Sequence, residues 1–207
     1  MKRFAELFLA LDQTTKTTAK IDALVSYFRE ADDGDKLWCI ALLGGKRPKR
    51  TIKTSDLRLW CSELAEIPLW LLEDTYHIVG DLAETIALLL PEHGNSHHQS
   101  LSAWMEEIQL QKTAEETEKK EWITSSWMKL DASQRFVFNK LITGGFRIGV
   151  SQKNVTKALA KYLGKDANEI AHRLMGNWTP QSTTFQELIL SESESDDYSK
   201  PYPFYLA

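Results

Sequence analysis

Apolar residues recur along this chain at spacings of three and four, and that period predicts helix almost from end to end. Phe4, Leu7, Phe8 and Leu11 make the first stripe. Thr17 or Thr18 is placed to cap a second helix, with Ile21, Leu24, Val25 and Phe28 on its inner face. A third helix is expected over 33–43. A fourth is expected behind an N-cap at Ser55, with Leu57, Trp60, Cys61 and Leu64 inward. Pro68 suits the first turn of a fifth helix, which carries Leu69, Leu72, Tyr76 and Val79. Gly80 ends that run, Asp81 caps the next, and 82–90 continues to Pro91. Further helices are expected over 101–111, 115–129, 131–143, 151–163 and 166–174. No run alternates as a strand would, and no hairpin signal occurs. The expected fold class is all-α.

Residues 92–100 carry His, Gly, Asn and Ser and no apolar side chain, which predicts a linker. It divides a domain at 1–190 into halves of about 1–91 and 101–190, and each half holds one similar corner. In the first, Leu42-Leu43-Gly44-Gly45-Lys46-Arg47 leads into Pro48-Lys49-Arg50. One hundred positions on, Leu141-Ile142-Thr143-Gly144-Gly145-Phe146-Arg147 leads into Ile148-Gly149-Val150-Ser151. Each time an apolar helix meets Gly-Gly, then a basic residue, then another helix. Glycine ends helices cheaply because it reaches positive φ, so two independent turns are one reading. The other is a pair of anchoring points for one long polyanion. A loop without side chains lets backbone N–H groups approach phosphate, and a helix N-terminus behind it favours negative charge.

The second loop is the sharper of the two. Gly144, Gly145 and Gly149 put three glycines within six positions around Arg147, more than a bare turn needs. Gly145 is expected at positive φ. Phe146 and Ile148 are expected to point inward and fix the loop. Ser151 is the expected cap of the next helix, with Lys153 and Asn154 in its first turn and Lys157 one turn on. Lys16 and Lys20, beside Thr14, Thr15, Thr17 and Thr18, offer a third basic point, where ordinary capping is the competing reading.

A net charge of −4 over 207 residues speaks against a nucleic-acid partner, but the distribution changes the picture. Residues 46–58 hold six basic side chains (Lys46, Arg47, Lys49, Arg50, Lys53, Arg58) against one acidic, Asp56. Residues 187–200 hold five acidic side chains against one basic, Lys200. A polyanion meets the local patch, not the sum. With 43% hydrophobic residues the chain can bury a full core. Cys39 and Cys61 sit in apolar helical patterns, as reduced cysteines of a cytoplasmic protein do. No signal-peptide core follows Met1, and no apolar run approaches the roughly 20 residues of a membrane span.

Other chemistry is thin. His93, His97 and His98 fit no zinc spacing and fall in the linker. Trp38, Trp60, Trp70, Trp104, Trp122 and Trp127 recur at helical spacings, which assigns them to the core before base stacking. Glu106-Glu107 and Glu115-Glu116 lie on charged helical faces. No Gly-x-Ser-x-Gly, P-loop or His-Glu-x-x-His occurs, so no catalytic residue and no metal site is expected. The tail at 191–207 is acidic, then rich in proline and aromatics, and reads as an inter-domain linker.

These segments resemble the N-terminal DNA-binding domain of ATP-dependent DNA ligases. The resemblance runs through Phe4-Ala5-Glu6-Leu7 and 14–20. It continues in Ala41-Leu42-Leu43-Gly44-Gly45 and Tyr76-His77-Ile78-Val79-Gly80-Asp81-Leu82-Ala83-Glu84, and is most specific over 141–151. It implies an all-helical domain of two halves related by a pseudo-twofold, gripping the minor groove of nicked double-stranded DNA through two such loops. Pro201-Tyr202-Pro203-Phe204 resembles the approach to the catalytic domain in the bacterial type. The family forms its AMP adduct on the lysine of Lys-x-Asp-Gly, which is absent here. Lys129-Leu130-Asp131-Ala132 lacks the glycine, and Asp131 reads better as a helix cap. The chain is therefore expected to be a fragment, inactive alone and without a cofactor. ATP and Mg2+ would belong to the full-length enzyme, as would adenylation and OB-fold domains of the same polypeptide. Phe146 departs from the basic residue that many relatives carry.

The expected DNA contacts are Gly44, Gly45, Lys46, Arg47, Lys49, Arg50, Thr143, Gly144, Gly145, Arg147, Gly149, Ser151, Lys153 and Lys16. They would hold phosphate and sugar without reading bases, for nick sealing in repair or replication. A monomer is expected. A helical protein–protein interaction module is the alternative; it would scatter the basic residues and present a large apolar groove.

Overall fold

A computed structural model describes residues 1–46, 50–91, 99–146 and 148–191. Among these residues the structure is helical, with no strand. The order is α1 (Lys2–Asp12), α2 (Thr17–Glu30), α3 (Asp33–Leu43), α4 (Thr54–Leu64), α5 (Leu69–Val79) and α6 (Leu82–Leu89). There follow α7 (Leu101–Leu110), α8 (Glu116–Lys129), α9 (Ala132–Thr143), α10 (Gln152–Leu163), α11 (Ala167–Leu174) and a π-helical turn, Gln186–Leu190. Arg47, Lys49 and Arg147, the histidines His93, His97 and His98, and the tail at 192–207 lie outside the described residues.

Side-chain caps explain most of the starts. Asp81, Ser100, Asp131, Ser151 and Asp166 each accept a backbone N–H of the helix they open. Glu115 and Asp131 complete capping boxes with Glu118 and Gln134. Two expected caps are corrected. The N-cap of α2 is Lys16 and that of α4 is Lys53, both extended and without a side-chain cap bond. Thr17 and Ser55 already lie inside helical turns, where a hydroxyl cannot reach the N3 amide.

The chain divides into two compact units, Met1–Leu9 with Arg47–Ile148, and Ala10–Lys46 with Gly149–Ala207. This differs from a division at 92–100: each unit draws on both sides of that segment, and the chain changes unit inside each Gly-Gly corner. In the first unit α6 packs on α9, α5 on α6, and α4 on α5 and α8. Trp104, Trp122 and Phe138 form an aromatic cluster, with Trp104 and Phe138 centroids 5.2 Å apart. Burial pushes the Cys61 thiol up to about 12, against the opposing field of Arg135, so it stays a thiol. Of the six tryptophans expected inside, Trp38, Trp60, Trp104 and Trp127 are buried and Trp122 is half-buried, while Trp70 is 62% exposed. In the second unit α10 packs on α2, α3 and α11.

Candidate nucleic-acid interface

Within the second unit, three helices bring the candidate residues to one end. Lys20 Nζ, in the first turns of α2, donates to the carbonyl of Gly149, just ahead of α10, at 2.9 Å. Phe28, near the other end of α2, meets Tyr162 near the other end of α10 at 6.1 Å between centroids. The two helices therefore run the same way, and their N-termini share one end. Helix α3 runs opposite. Lys36 in its second turn lies against the Tyr162 ring, whereas Gly44 and Lys46 at its C-terminus line a small cleft with Gln152 and Val155 of α10.

That shared end carries Lys16, Gly44, Gly45, Gly149, Ser151 and Lys153, all exposed. Two helix N-termini add partial positive charge to the lysines. Ser151 Oγ accepts Asn154 N–H at 3.3 Å, so the expected cap forms. Asp33 and Gln186 meet at 3.4 Å beyond the opposite end of α3. Glu187 is also there, its carboxyl held below the usual range by hydrogen bonds from Thr184. That opposite end is of mixed charge, since Arg29, Lys36, Lys161 and Lys165 also lie toward it.

Two lysines are turned inward. Lys20 is buried against the Gly149 carbonyl. A Cβ on Gly149 would lie 3.4 Å from Lys20 Nζ, and Gly149 has φ +54, so glycine is required there on conformational grounds. Lys46 Nζ donates to the carbonyls of Gly176, at 3.1 Å, and Trp178, at 2.8 Å. It also lies 3.9 Å from the Trp178 ring centroid. Burial lowers the Lys46 pKa. The role of Trp178 escaped the sequence reading, because its signal is a contact across 132 positions.

In the first unit, α9 ends at Thr143 and Gly144 takes the left-handed conformation at φ +72. The positive φ therefore falls on Gly144 and not on Gly145, correcting that expectation. Thr143 Oγ1 donates back to Asn139 O at 2.7 Å, while Gly144 and Gly145 are exposed. Phe146 is 1% exposed, stacked on Phe4 at 5.8 Å and edge-on to Phe8 at 5.0 Å. Ile148 is also buried. Both flanks of Arg147 thus point inward as expected. The Phe146 side chain serves the core. Arg50 is exposed, with Nε donating to Ile52 O at 2.8 Å.

Residues 1–160 match the family described as DNA ligase N terminus. The chain belongs to that family. It is the DNA-binding domain of ATP-dependent DNA ligases, and the helical ends that carry the candidate residues, α3, α9 and the first turns of α2 and α10, all fall inside the matched region. No curated protein matches the chain. Lys-x-Asp-Gly, on which the ligases' AMP chemistry is built, is absent from the 207 residues. Among the described residues no group of three His, Cys, Asp or Glu side chains could hold a metal ion. Asp131, in the near-miss motif, accepts Gln134 N–H at 2.8 Å as a helix cap. The residues present do not fit a nucleotide-transfer centre. Among them, too, no helix is long and apolar enough to cross a membrane.

Proposed function

We propose that this ligase N-terminal domain binds nicked duplex DNA through phosphate and sugar, without sequence preference, and presents the nick to catalytic domains of the same polypeptide. The observation that carries the reading is the exposed, glycine-lined end of the α2–α10 pair, where Lys16 and Lys153 stand at two helix N-termini beside Gly44, Gly45 and Gly149. Exposed glycines admit a backbone closely, and lysines with helix N-termini supply charge without reading bases. The contacts proposed are Lys16, Gly44, Gly45, Gly149, Ser151 and Lys153 from the second unit, and Arg50, Thr143, Gly144 and Gly145 from the first. Arg47, Lys49 and Arg147 join them on sequence. Joining a 5′-phosphate to a 3′-hydroxyl, with ATP and Mg2+, is assigned to the full-length enzyme, in repair or replication in the bacterial cytoplasm. The domain itself acts as a monomer.

The pseudo-twofold belongs to this proposal. Helices α3 and α4 flank one Gly-Gly corner, α9 and α10 the other. As α10 packs on α2 and α11, α4 packs on α8 and α5, which are the pairs an internal twofold would exchange. The interaction-module reading has one observation in its favour, the exposed apolar side chains Trp70, Leu71 and Ile78 of α5. The deciding measurement is affinity for nicked, intact and single-stranded DNA of unrelated sequences across a salt series. Binding should be equal across duplex sequences and fall with salt at a log–log slope of roughly −0.9 per phosphate neutralised. Absence of duplex binding at low salt would refute the proposal.

A further inference from the structure

We propose that Lys46 is a positioning residue and not a phosphate contact, and that its clasp with Trp178 sets the Gly44–Gly45 backbone beside α10 for DNA. The inference rests on the DNA-binding reading and extends it beyond the residues matched to the family, which stop at 160.

An ammonium has three N–H donors. Lys46 directs its own at two carbonyls, Gly176 and Trp178, and at the face of the Trp178 ring. The clasp is itself anchored. Trp178 is 8% exposed, its Nε1 donates to Leu174 O at 3.0 Å, and its backbone N–H to Gly176 O at 3.0 Å. The indole is thereby fixed to the end of α11, which packs on α10. On the other side, Lys46 N–H donates to Ala41 O at 2.8 Å and Gly45 N–H to Leu42 O at 3.3 Å, closing α3. Gly44 lies so close under this closure that a Cβ would sit 2.9 Å from Ile40 O. The loop is thus drawn down between α3 and the 174–178 segment, leaving the exposed Gly44–Gly45 backbone next to Gln152 at the start of α10. Charge that would otherwise reach toward a ligand is used to hold the loop in place.

The test measures binding of the full chain to a fluorescein-labelled nicked duplex by anisotropy over a salt series, with thermal melts alongside. Lys46→Met should weaken binding about three- to tenfold while leaving the salt slope unchanged, because no phosphate-neutralising cation is lost. Lys46→Arg, which keeps donors and charge, should restore affinity. Trp178→Leu, which alters no charge, should weaken binding by a similar factor. The double variant should then be no weaker than either single one. Lys153→Met serves as the contact control, and its slope should flatten by about 0.9. A flattened slope for Lys46→Met, or additivity with Trp178→Leu, would make Lys46 a phosphate contact and overturn the inference. So would unchanged affinity in a folded Trp178→Leu. If that variant fails to fold, the slope of Lys46→Met decides alone. Failure of the wild-type chain to bind duplex DNA refutes the DNA-binding reading itself, and is seen in its own curve before any variant is compared.

Discussion

Gly145→Val isolates the reason for a bare loop. At Gly144 the fold itself demands glycine: φ is +72, where an L side chain costs about 1–2 kcal/mol. At Gly45 and Gly149 the demand is the same, with φ +85 and +54. Gly44 is required by contact instead, since its Cβ would come 2.9 Å from Ile40 O. Gly145 has neither excuse. It is not among the positive-φ residues, and a Cβ there would meet Thr143 Oγ1 at 3.5 Å and Lys140 Cδ at 3.8 Å, ordinary contact distances. Valine on this exposed loop should change stability by no more than about 0.5 kcal/mol. If a sugar-phosphate backbone lies against the loop, the isopropyl group holds it off and loses about one charge-free contact. That is roughly 1.4 kcal/mol, or tenfold in Kd. The assay is anisotropy on nicked duplex with urea unfolding of the same samples. Gly144→Val, which should lose stability as well as binding, is the contrast. Unchanged affinity in a folded Gly145→Val would mean that the loop is only a turn and that this face does not bind DNA.

Three further outcomes follow from the structure. Arg135 is fully buried and donates to the carbonyls of Ala87, Leu90, Pro91, Trp127 and Leu130, closing the ends of α6 and α8 together. Arg135→Met should cost about 3–5 kcal/mol in urea unfolding, and a loss under 1 kcal/mol would contradict the capping role. Burial alone would raise the pKa of Asp81, but hydrogen bonds from Lys140 and from Ala83 and Glu84 N–H hold it below the usual value. A lowered folded pKa stabilises above the unfolded pKa and fades as pH falls through the folded one, so this contribution begins to fade below about pH 4 and is lost only below the folded value. Lys140→Met should flatten stability against pH in that acid window, and an unaltered profile would reject the pairing. Incubated with labelled ATP and Mg2+, the chain should form no covalent AMP adduct, since it lacks Lys-x-Asp-Gly; an adduct would disprove this.

The helices were legible because each rests on short-range signals. Apolar period and a capping Asp or Ser place α6, α9, α10 and α11 within a residue of their observed starts. The caps missed at Thr17 and Ser55 are cases where several hydroxyl residues adjoin and sequence cannot say which one stays extended. Trp70 was misplaced because α5 is apolar on more faces than it buries, with Leu72 its fully buried residue. The glycine loops were visible as candidates, but the part each residue plays was not. The contacts of Lys20 with Gly149 and of Lys46 with Trp178 span 129 and 132 positions, and nothing local distinguishes a lysine that holds a loop from one that reaches outward.

The two corners share letters but not geometry, and the difference bears on how they could work together. In the first, Gly44 keeps φ −75 and Gly45 turns left-handed; in the second, Gly144 turns left-handed. The turn is thus shifted by one residue relative to the aligned sequence. What the corners do share is their place in the chain, since each is where it leaves one compact unit for the other, in opposite directions. A helix before each corner and the helix after it therefore belong to different cores. Folding of either unit fixes one arm of both loops, and neither sequential half, 1–91 or 101–190, contains a complete unit. Separating the chain at 92–98 should consequently yield two pieces that lack their packing partners: α2 without α10, and α9 without α6. Each corner therefore has one arm in either core, and neither can be set by one unit alone.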